Sequence, residues 1–197
     1  MKTVAIIIGV VVLIGALLMA FVKKSVSDTE THEYEVVEVY DDFEIRKYAP
    51  ALYSSVNYSS SSYKQISSDG FRTLAGYIFG GNESKEQIAM TSPVTMELKD
   101  TSKMMFMVPK SMSKDDLPRP NNSSIYFEEY PERIVAAIHF GGWANDDKIA
   151  EYSKKLTEAL MKEGITHSGE FAYLGYNPPF DVVNRRNEII VAVSWEN

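Results

Sequence analysis

The chain contains no cysteine. That excludes disulfides, thiolate metal sites, a cysteine nucleophile and thioether attachment of a cofactor. It also lacks an H-E-x-x-H run, a G-x-S-x-G elbow and a phosphate-cradling P-loop. The acidic pairs Asp41-Asp42, Asp115-Asp116 and Glu128-Glu129 are sequence neighbours. Neighbours in extended chain point to opposite faces, so these pairs do not form an acid/base couple. Positive charge is scarce, with 20 Lys and Arg against 27 Asp and Glu. Three of the basic residues (Lys2, Lys23 and Lys24) lie in the first 24 positions, which hold no acid; the remainder therefore carries 17 basic against 27 acidic residues, a net charge of −10. Such a surface repels phosphate backbones, which argues against nucleic-acid binding. Signals of enzyme chemistry are therefore poor, and no catalytic activity is expected.

What is present first is an apolar segment. Residues 4–22 contain no charged residue and no proline. Nineteen helical residues at ~1.5 Å rise span about 28 Å, close to the ~30 Å hydrocarbon core of a bilayer. A cleaved signal peptide is the rival reading, but Leu18 and Ala20 followed by Phe21 make a poor cleavage site. Residues 1–24 are thus expected to be a single transmembrane anchor or uncleaved signal, residues 25–33 a polar tether and residues 34–197 one domain. Charge does not orient the anchor, because Lys2 and the amino terminus match Lys23-Lys24. A short N-terminal flank is easily retained inside, which places the expected domain outside the cytoplasm.

The domain reads as two passes of strand, strand, helix, strand, strand. In the first pass, residues 34–40 and 43–48 form a hairpin around Asp41-Asp42, and residues 51–58 form a further strand. A serine run leads into a helix over about 63–79, with Ile66, Leu74, Tyr77 and Ile78 at helical spacing, stopped by Gly80-Gly81-Asn82. Residues 94–98 and 104–108 follow as strands, with 100–103 as their turn. In the second pass, residues 125–130 and 134–140 are strands and Asn145 caps a helix. Asp146-Asp147 occupy that helix's favourable first turn, and Ile149, Tyr152, Leu156 and Leu160 form its buried stripe. Strands over 171–176 and 188–195 close the pass. Residues 111–124 between the passes, with Pro118, Pro120 and Asn121-Asn122, read as a surface loop. Short connections and only two helices imply an α+β domain with a largely antiparallel sheet. Asn57, Asn82 and Asn122 each head an N-x-S triplet, which matters only in a eukaryotic secretory protein.

Three segments carry a resemblance. One is Tyr176-Asn177-Pro178-Pro179-Phe180 followed by Arg185-Arg186-Asn187-Glu188. Another is Ile88-Ala89-Met90-Thr91-Ser92-Pro93-Val94-Thr95, and the last is Phe106-Met107-Val108-Pro109-Lys110. Their order and spacing resemble the SOUL heme-binding protein family over roughly residues 34–196. The resemblance implies a pseudo-twofold α+β domain whose curved, largely antiparallel sheet approaches a barrel, with two helices packed outside. It also implies noncovalent binding of heme or a related tetrapyrrole, here by a membrane-tethered buffer, carrier or sensor. The alternative is a SOUL-like effector or protein-interaction module without heme binding, which would have a protein partner. A weaker option is hydrolysis of a small ligand using Glu188 with Tyr176.

The resemblance sets the ligand slot beside the first helix, with Phe71, Leu74, Tyr77 and Ile78 on the helix, Met90 and Pro93 as one wall, and Tyr176 and Phe180 as the other. Heme is flat and apolar with two propionates, so a cation at the rim is useful. Ile189, Val191, Val193 and Trp195 share one strand face, and period-2 alternation puts Arg185 and Asn187 on the same face. Arg186 and Glu188 share the other and can pair. Arg185 is then the better propionate partner, unless both arginines serve the Pro-Pro loop through carbonyls and carboxylates. The dense methionines Met90, Met96, Met104, Met105 and Met107 suit an adaptable apolar pocket or an irregular core equally. His32 in the tether, His139 at a strand end and His167 in the 164–169 loop fall in no family motif, and the axial ligand is left open.

Overall fold

The computed structural model describes residues 29–60, 62–98, 101–178, 181 and 184–195. The expected anchor, residues 1–24, lies outside them, and among the described residues no helix is long and apolar enough to cross a membrane. The strands are β1 (Tyr34–Val39), β2 (Glu44–Tyr48), β3 (Ala51–Tyr58), β4 (Val94–Glu97), β5 (Ser102–Met107), β6 (Tyr126–Tyr130), β7 (Arg133–Phe140), β8 (His167–Gly175) and β9 (Asn187–Val193). The helices are α1 (Tyr63–Ile78) and α2 (Asp146–Lys162). All nine strands form one sheet in the order β1-β2-β7-β9-β8-β4-β5-β3-β6, antiparallel throughout. The two passes are visible in it: β3-α1-β4-β5 mirrors β7-α2-β8-β9, and the halves meet at the β4–β8 pair. The outer strand of each half comes from the other pass, with β2 beside β7 and β6 beside β3. That exchange makes the two passes one domain.

The sheet has two differently used faces because side chains alternate along each strand. One face carries Ile45, Val56, Met96, Met104, Phe106, Ala136, Ile138, Phe140, Tyr173, Ile189 and Val191, and packs against Ile66, Leu74, Tyr77 and Ile78 of α1 and Ile149, Leu156 and Leu160 of α2. Gly70 lets α1 come close, since a Cβ there would sit 2.9 Å from the Met104 sulfur. The other face carries two smaller buried clusters, Tyr48 with Val135, Ala137, Ala172, Leu174 and Ile190, and Tyr53 with Met105 and Met107. Among the described residues no helix covers them. The curved, half-barrel sheet buries its own inner face and leaves both helices outside.

The helix ends follow from local chemistry. Asn145 caps α2 by accepting a hydrogen bond from Lys148 N at 2.8 Å. Ser62 precedes α1 without a side-chain cap, and Asp146 supplies the acceptor instead, taking Tyr63 N at 2.6 Å. The first turn of each helix is thereby tied to the other. At the end of α1, Gly81 N reaches Gly76 O at 2.8 Å, and a Cβ on Gly81 would lie 2.5 Å from that oxygen. Asn82 is buried; its Nδ2 donates to Tyr77 O and Glu86 O and its Oδ1 accepts from Ser84 and Glu86, so its amide is not accessible for glycosylation.

Three expectations are corrected. The tether does not run to residue 33: Thr31 pairs with Ser92, and His32 is buried between the two inner clusters, its ring 4.8 Å from Tyr48 and 6.0 Å from Tyr53. His167 is in β8, paired with Val193, because the strand starts early and passes Gly169 (φ 80°) through a register shift. Ser102 and Lys103 belong to β5 and not to its turn, with the Lys103 ammonium held by Glu128 and the Tyr130 hydroxyl at 3.1 Å each.

Candidate functional site

The chain after β8 contains the densest polar chemistry of the described residues. Strand alternation sends the side chains of Arg186 and Glu188 to the inner face and that of Asn187 to the helix face. Glu188 is 1% exposed. Its carboxylate accepts five donors: Arg46 Nη1 at 2.7 Å, Arg46 Nη2 at 3.2 Å, Arg186 Nε at 3.0 Å, Arg186 Nη2 at 2.7 Å and the Tyr176 hydroxyl at 2.8 Å. Arg46 also holds Glu44 at 2.7 Å and stacks over Tyr34 at 4.3 Å, while Arg186 donates to the Tyr34 hydroxyl at 2.9 Å and lies over the Tyr176 ring at 4.2 Å. Burial opposes ionisation of Glu188, but the hydrogen bonds and charges of Arg46 and Arg186 outweigh it and hold its carboxyl below the ordinary carboxylate value. Burial and the neighbouring Tyr48 and Glu188 push the Tyr176 phenol well above its usual range.

A carboxylate so occupied holds its proton acceptors fully engaged. The Glu188–Tyr176 contact expected of a hydrolytic pair therefore exists, but as part of a closed ionic cluster linking β1, β2 and β9. The expected pairing of Arg186 with Glu188 is present. Arg46 was missed, because a strand sequence Glu-Ile-Arg-Lys-Tyr gives no sign that its arginine points inward.

On the helix side, Asn187 takes the Tyr173 hydroxyl at 2.7 Å and donates to Gly142 O at 2.8 Å and Phe140 O at 3.3 Å. Arg185 closes the Pro-Pro loop on itself. Its Nη1 donates to Pro178 O at 3.0 Å and Asp181 O at 2.7 Å, and its Nη2 to Asn177 O at 3.3 Å. Asn177 completes the closure through Arg186 N and Asp181 Oδ2, both at 2.6 Å. This is the loop-anchoring arrangement read from the sequence as the alternative to ligand contact. One donor, Arg185 Nε, is buried without a partner.

The expected slot residues separate into groups. Leu74, Tyr77 and Ile78 are buried in the core between α1 and the sheet, and Tyr77 donates to Pro118 O at 3.0 Å. In this conformation they support the helix and are covered from solvent. Phe71 and Met90 are half-buried at the margin of that core, with Phe71 edge-on to Phe106 at 5.4 Å. Pro93 is buried after a cis Ser92–Pro93 bond. Tyr176 presents its ring to the inner face and not to α1. Phe180 lies outside the described residues. The two proposed walls do meet through the backbone, where the Ser92 hydroxyl reaches Tyr176 O at 3.4 Å. Two cavities flank α2: one of about 330 Å³ against β8, bordered by Leu98, Asp146, Ile149, Phe171 and Tyr173, and one of about 300 Å³ at the β1–β2 turn. Neither is lined by an expected residue.

His32 uses both ring nitrogens. Nε2 faces Ala49 O at 2.8 Å and so carries the proton, which leaves Nδ1 to accept from the Tyr53 hydroxyl at 2.9 Å. Burial lowers its pKa and pushes the Tyr53 phenol up to about 12. His139 is exposed on β7, and His167 Nδ1 accepts from Gly169 N at 3.1 Å. The described residues contain no cluster of three metal-ligating side chains.

Residues 29–192 match the family model described as SOUL heme-binding protein, and the chain belongs to that family. Among its relatives, Heme-binding protein 2 of Mus musculus is 31% identical over 156 residues, covering 75% of this chain and 76% of the relative. Heme-binding protein 1 of Xenopus laevis is 28% identical, covering 75% and 81%. In fold, the chain is similar to the C-terminal domain of EcmrR (TM-score 0.60, 11% identity, 83% of this chain and 99% of that one) and to a hydrolase from Listeria innocua (TM-score 0.52, 7% identity, 87% and 97%). At these identities the likeness is one of architecture.

The ionic cluster makes a direct prediction. Glu188→Gln leaves the buried Arg46 with Glu44 as its one carboxylate and Arg186 with none, and should cost about 2–4 kcal/mol in urea unfolding at neutral pH. Because the folded pKa of Glu188 is lowered, its stabilisation is complete above the unfolded value of 4.5 and is lost as pH falls below it toward the folded value. The wild type should therefore lose stability steeply through that acid window, and Glu188→Gln should lose less. A cost below about 1 kcal/mol would contradict the cluster's role.

Proposed function

We propose that this domain binds heme or a related tetrapyrrole noncovalently and reversibly. Family membership over residues 29–192 carries the reading, with relatives named as heme-binding proteins. A bound tetrapyrrole supplies a flat apolar macrocycle with two carboxylates. The chemistry of this chain fits such a group: Phe71 and Met90 offer half-buried apolar surface, Arg185 is a cation whose present partners are neutral carbonyls, and its Nε has no acceptor. Leu74, Tyr77, Ile78 and Pro93 would back the slot as its floor, Tyr176 would border it through its backbone while its ring stays in the inner cluster, and Phe180 is assigned to the slot from the sequence alone. Ligand entry exchanges the carbonyl contacts of Arg185 for a carboxylate, which favours a buffer, carrier or sensor over a permanent holder.

Membrane attachment belongs to the same proposal and rests on the uncharged run at residues 4–22. The anchor would hold the domain, outside the cytoplasm, at the bilayer surface where apolar tetrapyrroles partition. The full chain should stay with membranes through alkaline carbonate washing, and a chain starting at Ser25 should not; equal release of both would remove the anchor from the proposal.

Hemin added to the Ser25–Asn197 chain should give a saturable Soret shift at one equivalent, beyond that of a denatured sample. Arg185→Ala should weaken it by about 1–3 kcal/mol with circular dichroism unchanged. A folded domain with no specific shift would favour the interaction-module reading instead.

A further inference from the structure

The loop after β7 carries an aromatic side chain at the surface. Trp143 is 55% exposed, unusual for so large an apolar side chain. It is held in place on both sides. Asn187 Nδ2 fixes the preceding Gly142 carbonyl at 2.8 Å, and Gly142 takes φ 77°, a conformation that suits glycine. The Arg185 guanidinium lies over the indole at 4.2 Å. Lys148, from the first turn of α2, donates to Gly141 O at 3.1 Å, with its ammonium so near Gly142 that a Cβ there would be 3.2 Å away. Arg185 thus borders the exposed indole directly, and the Lys148 ammonium sits against the two glycines that precede it, 6.0 Å from the Phe140 ring centre. Among the described residues neither forms an ion pair, although the protein carries a net charge of −7. The adjacent Asp146 is turned onto Tyr63 N.

We propose that Trp143, Lys148 and Arg185 form the docking ledge for the ligand. The open part of the indole stacks on a planar aromatic ligand, and the two cations take its two carboxylates. The proposal rests on the tetrapyrrole reading above and names the residues that would recognise a planar dicarboxylate. The charge pattern favours this occupant over a neutral or cationic one, because either would leave two unpaired cations beside it. Stacking supplies the apolar contact at low ordering cost, since the cation above the ring already restricts the indole.

The chain has two tryptophans, so each can be followed alone. In a Trp195→Phe chain, protoporphyrin IX should quench Trp143 emission saturably, with the same midpoint as its absorbance change. Trp143→Ala and Lys148→Glu should each weaken binding about tenfold, within the range expected for losing one stacking or charge-assisted contact. Glu at position 148 complements the helix dipole, so the substitution leaves the start of α2 supported. Lys154→Glu, farther along α2, should leave affinity unchanged. The dimethyl ester of the porphyrin should bind wild type weakly and be insensitive to Lys148→Glu. Saturable wild-type binding that neither Trp143→Ala nor Lys148→Glu alters would overturn the ledge and leave the tetrapyrrole reading standing. Absence of saturable porphyrin binding to a folded wild-type chain would overturn both.

Discussion

The structure depends on how the inner face of the sheet accommodates one carboxylate. Glu188 is taken out of water among apolar side chains, which by itself would cost several kcal/mol or force it neutral. Two arginines and a tyrosine surround it instead. Arg46 comes from β2, Arg186 from just before β9, and Tyr176 from just after β8. Satisfying this single group therefore ties β2 to β9 across the intervening β7, orients Tyr34 on β1 and closes the chain between β8 and β9. An apolar residue at position 188 would fill the same space without imposing that geometry.

The alternation of β9 then carries this constraint to the opposite side. With Glu188 and Arg186 committed inward, Asn187 and Arg185 must turn to the helix face. Asn187 ties the Gly142 carbonyl, and Arg185 gathers the carbonyls of the Pro-Pro loop and lies on Trp143. One short run, Arg-Arg-Asn-Glu, thus serves both faces: Arg186 and Glu188 brace the inner side, and Arg185 and Asn187 set the loops on the helix side. Neutral contacts to a cation are ones an arriving carboxylate can displace, whereas the bidentate pairing of Glu188 is not readily exchanged.

Much of this was legible in the sequence. The two-pass pattern, both helices, the Asn145 cap and the split of Arg185 from Arg186 follow from period and turn chemistry. These signals are local, and the structure keeps them. What escaped depends on distant partners. His32 precedes the first strand in a polar stretch, and only the gap between Tyr48 and Tyr53 makes it a core residue. Arg46 looks like an ordinary strand cation until Glu188 is set opposite. Leu74, Tyr77 and Ile78 have the apolar character of pocket residues, but the same character fills a core, and packing decides between the two. Trp143 follows two glycines in what reads as a plain loop, and its neighbours Arg185 and Lys148 come from other elements.

On the proposed reading, the ligand engages the helix-side pair while the inner ionic cluster stays intact. This reading is tested most directly by following arginine Nε–H and indole N–H resonances while protoporphyrin IX is titrated into the isotope-labelled chain. The Arg185 and Trp143 signals should move together and saturate at one equivalent, with Arg46 and Arg186 unmoved. Movement of Arg46 and Arg186, with Arg185 and Trp143 unchanged, would contradict it.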